Sequence, residues 1–177
     1  MTRAQLEHAI RAACDVADDT DLIIFGSQAI LGEHPGAPPG LRGSIEVDVQ
    51  PLNKPQAIDA IDGALGELSM FHQTYGFYVH GVSIEAATLP TGWKSRTIKV
   101  SNAVGTRGNV GHCLESHDLA ASKLAAYREK DQDFVRILLV EGLIDDQVLL
   151  ERVATLSIDA KHRARLEKWV TVTAQEL

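Results

Sequence analysis

At 177 residues the chain is long enough to bury one sizeable core with a small helical annex, but too short for two independent domains. A net charge of −7 excludes a broad electrostatic attraction to nucleic acid, leaving only a local basic patch for such contacts. No apolar run approaches the roughly 20 residues that cross a bilayer, and two cysteines, Cys14 and Cys113, are too few for a disulfide framework and read as buried thiols.

The first predicted element is an amphipathic helix over 2–17, with Leu6, Ile10, Ala13 and Val16 at three- and four-residue spacing. It begins at once, without the apolar stretch of a signal peptide, so a cytoplasmic location and no membrane partner are expected. An Asp18-Asp19-Thr20-Asp21 turn leads into a short apolar strand over 22–25. That strand ends at Gly26-Ser27 and hands over to a helical start at Ser27. A turn of this kind suits a phosphate: glycine lets the backbone approach an anion, serine adds a hydroxyl, and amides at a helix start point at the charge.

Prolines and glycines forbid regular structure over 32–43, a loop that reads equally as one wall of a substrate cleft or as an inert excursion. Next comes Ser44-Ile45-Glu46-Val47-Asp48-Val49, where apolar and acidic residues alternate. With period two, Ile45, Val47 and Val49 are expected to face the core while Glu46 and Asp48 share the other face, their Cα atoms roughly 6.5 to 7 Å apart. A solvated strand face is the bland alternative. Following strand-Gly-Ser-helix, however, the pair reads as a clamp for Mg2+, which prefers oxygen ligands and completes its shell with substrate phosphates.

Further along, 55–68 is predicted helical, with Ile58, Ile61, Ala64, Leu65 and Leu68 on one face. Segments 77–84, 96–100 and 108–114 are strand-like, and from His117 onward the pattern is helical over 118–130, 131–141, 145–156 and 159–173. The expected fold class is therefore α+β, a mixed sheet flanked by helices (residues 1–115) with a C-terminal helical part packed on it (116–177).

On a continuous helix Lys123 and Lys130 fall within about 20° of each other, two turns apart, giving a cationic face. If it looks toward the Gly26-Ser27 turn, Lys123 neutralises phosphate; otherwise it is a solvated helix with charge pairs. Ala120, Ala121, Ala125 and Ala126 favour close packing of that helix. No zinc spacing surrounds His112, Cys113 and His117, and His72, in an expected turn, and His80 read as rim or core residues. Trp93, with Lys94 and Arg96 nearby, stacks a base beside phosphate contacts or caps the core.

Taken together, the Gly-Ser turn, the acid-x-acid strand and the helix His117-Asp118-Leu119-x-x-x-Lys123-Leu124-x-Ala126-x-Arg128-x-Lys130-Asp131-x-x-Phe134 resemble bacterial nucleotidyltransferase-fold proteins related to the AbiEii and MenT toxins. The resemblance spans 22–135. It implies that Gly26 and Ser27 hold nucleotide phosphates, that Glu46 and Asp48 bind Mg2+, and that Lys123, Arg128 and Asp131 line the nucleotide pocket, with Glu46, Asp48 and Lys123 serving catalysis. It further implies transfer from a nucleoside triphosphate to an acceptor such as tRNA, restraint by an antitoxin protein, and a third carboxylate, for which Glu85 is the candidate. The second reading is a nucleotide-binding or interaction module without catalysis, acting through a partner protein.

Overall fold

The computed structural model describes all 177 residues. They divide into two compact units, one of Met1–Ala86 with Thr97–Leu114, the other of Ala87–Arg96 with Glu115–Leu177.

The first unit is built from α1 (Arg3–Ala17), β1 (Asp21–Phe25), α2 (Ile30–Glu33), β2 (Glu46–Pro51), α3 (Ile58–Leu65), α4 (Met70–Tyr75), β3 (Tyr78–Gly81), β4 (Ile98–Val100) and β5 (Val110–Cys113). Its strands form one mixed sheet in the order β3-β2-β1-β5-β4, antiparallel at β1–β2 and β4–β5 and parallel at β1–β5 and β2–β3. One sheet face carries Leu22, Ile24, Val47, Val49, Val79, Val100 and Cys113, all buried. Helices cover that face. A β-carbon on Gly111 would strike Ile10 of α1, and one on Gly81 would strike the Ile58 carbonyl of α3, so both helices lie hard against the strands. Burying each Leu, Ile or Val there contributes about 1.5–3 kcal/mol.

Local chemistry explains where these elements start and stop. Thr2 caps α1 in a reciprocal capping box with Gln5, and Asp18 closes it in a left-handed conformation. Asp19 then accepts hydrogen bonds from the Asn53 side chain and from the backbone N–H groups of Asp21, Asn53 and Lys54, which ties the α1–β1 turn to the chain leaving β2.

Several boundaries differ from expectation. Ile45 precedes β2 and is exposed, because the strand and its alternation begin at Glu46. The helix foreseen over 55–68 is a 3-10 turn followed by α3, which stops at Gly66; Ala64 and Leu68 are therefore exposed rather than core. His72 lies inside α4, a helix not foreseen, which Ser69 caps by accepting from the His72 N–H. The loop over 32–43 is anchored: Ala37 and Leu41 are buried, and Arg3 Nη1 donates to the Leu31 and Gly32 carbonyls at 2.7 and 3.0 Å.

The second unit holds α5 (Ser116–Ala126), α6 (Glu129–Val140), α7 (Asp146–Ala154) and α8 (Ala160–Gln175) around Leu119, Leu124, Phe134, Val135, Leu138, Leu149, Val153, Leu166 and Val170. The helix expected over 118–130 breaks. Tyr127 adopts φ 52°, ψ 28°, and Arg128 turns extended as the cap of α6. Lys123 and Lys130 consequently belong to different helices, and the single cationic face does not exist; Ala126, at the break, is exposed.

Asp118, on the helix read as solvated, is fully buried. Arg96 holds it with two bonds of 2.8 Å, and Arg152 Nε lies 3.2 Å away. His117 is structural too, its Nδ1 beside Glu115 Oε1 at 2.5 Å and its Nε2 accepting from the Asp145 N–H that opens α7. No helix is long and apolar enough to cross a membrane.

Candidate active site

Strand alternation places the polar face of the first unit's sheet. Because β2 pairs with β3 in parallel register, Glu46 opposite Tyr78 and Asp48 opposite His80, these four side chains share one face. On the neighbouring strand Phe25 is paired with Asp48, which brings the end of β1, and hence Gly26, to the same spot.

Gly26 carries φ 66° and ψ −172°, a conformation open essentially to glycine alone. A β-carbon at this position would lie 2.0 Å from Asp48 Oδ2, so the absent side chain is what lets the turn and the carboxylate meet. Ser27 follows in a 3-10 turn, Ser27–Ala29, which passes into the one-turn helix α2. The helical start expected there is thus a 3-10 turn and a single α-helical turn. Its dipole is correspondingly small, and what the turn offers an anion is close backbone approach.

Three side chains converge beside it. His80 Nδ1 lies 3.0 Å from Asp48 Oδ1 and 3.0 Å from Glu46 Oε1, and one ligand atom from each of Glu46, Asp48 and His80 falls within 4.8 Å of the others. Burial and the adjacent Glu46 charge push the Asp48 carboxyl above its usual range. At His80 burial opposes the charged form, yet the Asp48 hydrogen bond and the charges of Asp48 and Glu46 outweigh it and raise the imidazole. The Tyr78 hydroxyl hydrogen-bonds Glu46; burial and that carboxylate push the phenol up to about 12, so it stays a donor.

Two carboxylates crowded together with an imidazole at this spacing are donors that a divalent cation accepts, so the chemistry of the residues fits one. Sequence reasoning found Glu46 and Asp48 but set His80 aside as a rim residue. The only local signal was its alternation with Tyr78 along one strand; that the acid-x-acid strand lies beside it is set by the sheet pairing. Glu85, the candidate third carboxylate, instead sits exposed in a 3-10 turn past the end of β3 and takes no part in the cluster.

In the second unit Lys123, Arg128 and Asp131 come together. Buried Asp131 receives Lys123 Nζ at 3.2 Å and Arg128 Nε at 2.5 Å. Burial holds the Lys123 amine below its ordinary range, although Asp131 pulls it the other way. Those two cations keep the Asp131 carboxyl low against the cost of burial. Arg96, considered for phosphate contact beside Trp93, is committed to Asp118. Cys14 and Cys113 are free, buried thiols whose burial raises each to about 12.

A family model of nucleotidyltransferases matches residues 4–175, nearly the whole chain. The chain belongs to the nucleotidyltransferases of unknown function (DUF6036). No curated protein and no solved structure gives a significant match. Membership in this nucleotidyltransferase family agrees with the mixed five-stranded sheet flanked by helices. It is a coarser assignment than the likeness to AbiEii and MenT toxins, since the family's substrates are undefined.

Proposed function

We propose that the chain transfers a nucleotide from a nucleoside triphosphate to an acceptor hydroxyl in a reaction that needs a divalent cation: the acceptor oxygen bonds to the α-phosphorus, pyrophosphate leaves and the hydroxyl proton passes to water. The observation that supports this reading is the close approach of Gly26 to Asp48: a glycine turn suited to phosphate beside a carboxylate suited to a cation. Glu46 and Asp48 would hold the ion, and Mg2+ suits their oxygens. When bound, such an ion polarises phosphate oxygens and neutralises charge that builds up in transfer.

The chain's own part is positioning. Gly26 admits the phosphates to the backbone of the turn, Ser27 offers a hydroxyl, and Tyr78 steadies Glu46 through its hydrogen bond. On the strength of the resemblance, Lys123, Arg128 and Asp131 contribute nucleotide binding as a unit. The same resemblance favours the 3′ end of tRNA as acceptor and a toxin held by an antitoxin as the biological setting.

Incubation with each α-labelled triphosphate, a divalent cation and total RNA tests the reading. Label is expected on RNA with the native chain, and Asp48→Asn should lower the rate by roughly a thousandfold, as several kcal/mol of lost charge stabilisation implies. Triphosphate binding without labelled product, on RNA or on added protein extract, would instead favour the non-catalytic module. Full activity in the folded Asp48→Asn chain would remove the metal from the scheme.

A further inference from the structure

We propose that His80 is the third protein ligand of the cation site, and that its nitrogen makes the site bind a first-row transition ion, with Mn2+ as the best-suited member, more tightly than Mg2+. This rests on the reading of Glu46 and Asp48 as the cation clamp.

The argument begins with spacing. In a six-coordinate shell with ligands at about 2.1 Å, neighbouring donors stand about 3.0 Å apart, the octahedral edge. His80 Nδ1 has that separation from both Glu46 Oε1 and Asp48 Oδ1. All three donors fall within 4.8 Å of one another, so one ion can reach all three and keep its remaining positions for phosphates and water.

The backbone fixes the arrangement. Asp48 and His80 are register partners on adjacent parallel strands, and Glu46 sits two residues from Asp48 on the same face. None of the three depends on a loop for its placement, which is the condition under which a donor set is preorganised. His80 keeps about 40% of its side chain exposed, so an ion can reach Nδ1 without unfolding the sheet.

Donor chemistry then selects the ion. Magnesium favours oxygen and gives up its waters reluctantly, whereas imidazole suits transition ions; among those, Mn2+ is the one that also accepts carboxylate and phosphate oxygen readily. A site of two carboxylates and one imidazole therefore discriminates against Mg2+ in a way that Glu46 and Asp48 alone would not.

The test adds MnCl2 alone, or MgCl2 alone, to the full-length chain and reads bound ion by electron paramagnetic resonance and calorimetry, with pulsed spectra reporting nitrogen coupled to Mn2+. Expected is one Mn2+ per chain, held more tightly than Mg2+, with a coupled nitrogen. In His80→Gln the coupling vanishes and Mn2+ binding weakens at least as much as for loss of an outer partner, roughly 10- to 100-fold. In His80→Asp binding persists without the coupling and the preference for Mn2+ over Mg2+ narrows. Circular dichroism checks that both variants fold, and the native spectrum decides the question if they do not. Mn2+ bound to the native chain without nitrogen coupling overturns the proposal and leaves the Glu46–Asp48 clamp standing, as does a coupling unchanged in a folded His80→Gln chain. Failure of the native chain to bind either ion, with or without a triphosphate, overturns the clamp as well.

Discussion

Gly26, in the turn just past β1, and Asp48, on β2, meet at one place: a β-carbon on the glycine would stand 2.0 Å from the aspartate's Oδ2. The pairing of Phe25 with Asp48 produces this contact, since the residue after Phe25 must then turn away directly over the carboxylate. Gly26→Ala suffers twice, from a φ of 66° that a side chain resists and from displacement of Asp48. A loss of about 1–3 kcal/mol in stability is expected from the backbone alone. Cation and triphosphate binding should fall further than stability does, which thermal unfolding and calorimetry measured side by side would show.

Asp19 gives a prediction in pH. Burial alone would raise this carboxyl, but hydrogen bonds from Asn53, Asp21 and Lys54 hold it below its usual value of 3.8. A depressed folded value means stabilisation that is complete above 3.8 and disappears as the pH falls through the lower folded value. Asp19→Ala should therefore cost about 1–3 kcal/mol at neutral pH, with the gap between native and variant closing in acid. Urea unfolding at a series of pH values measures it.

The buried ion pair in the helical unit makes a larger effect. Asp118 is fully buried with Arg96 and Arg152 as its cations, so removing the carboxylate leaves two guanidinium groups without it. Asp118→Ala is expected to destabilise the chain by about 3–5 kcal/mol, enough to show as a large fall in melting temperature.

Lys123 separates nucleotide binding from folding. If its cluster with Asp131 and Arg128 serves the triphosphate, Lys123→Met should raise KM for the triphosphate roughly tenfold or more while Arg128 still neutralises Asp131. An unchanged KM in a folded variant would assign the cluster to stability alone.

Much of this was legible in the residues. Period-two alternation marked Glu46 and Asp48 as neighbours on one face, and the apolar run into Gly26 marked the turn, because both signals are local. The helix break at Tyr127 was not legible: nothing in Ala125-Ala126-Tyr127-Arg128 is a helix breaker. The left-handed residue is held by tertiary contacts, with Arg165 stacked 3.9 Å from the Tyr127 ring and His162 bound to the Ala125 carbonyl. His80 escaped for a related reason. Its partner is set by strand register between segments about thirty residues apart, which no local pattern carries.

β2 is an interior strand, bonded to β1 on one side and β3 on the other. Glu46 and Asp48 thus ride on backbone whose amide protons should be among the slowest to exchange with deuterium, and that backbone does not shift to suit a visitor. Whatever adapts to different substrates must lie elsewhere along the rim, so variants that widen or narrow substrate choice should arise in the connecting segments while the two acids stay where the sheet has fixed them.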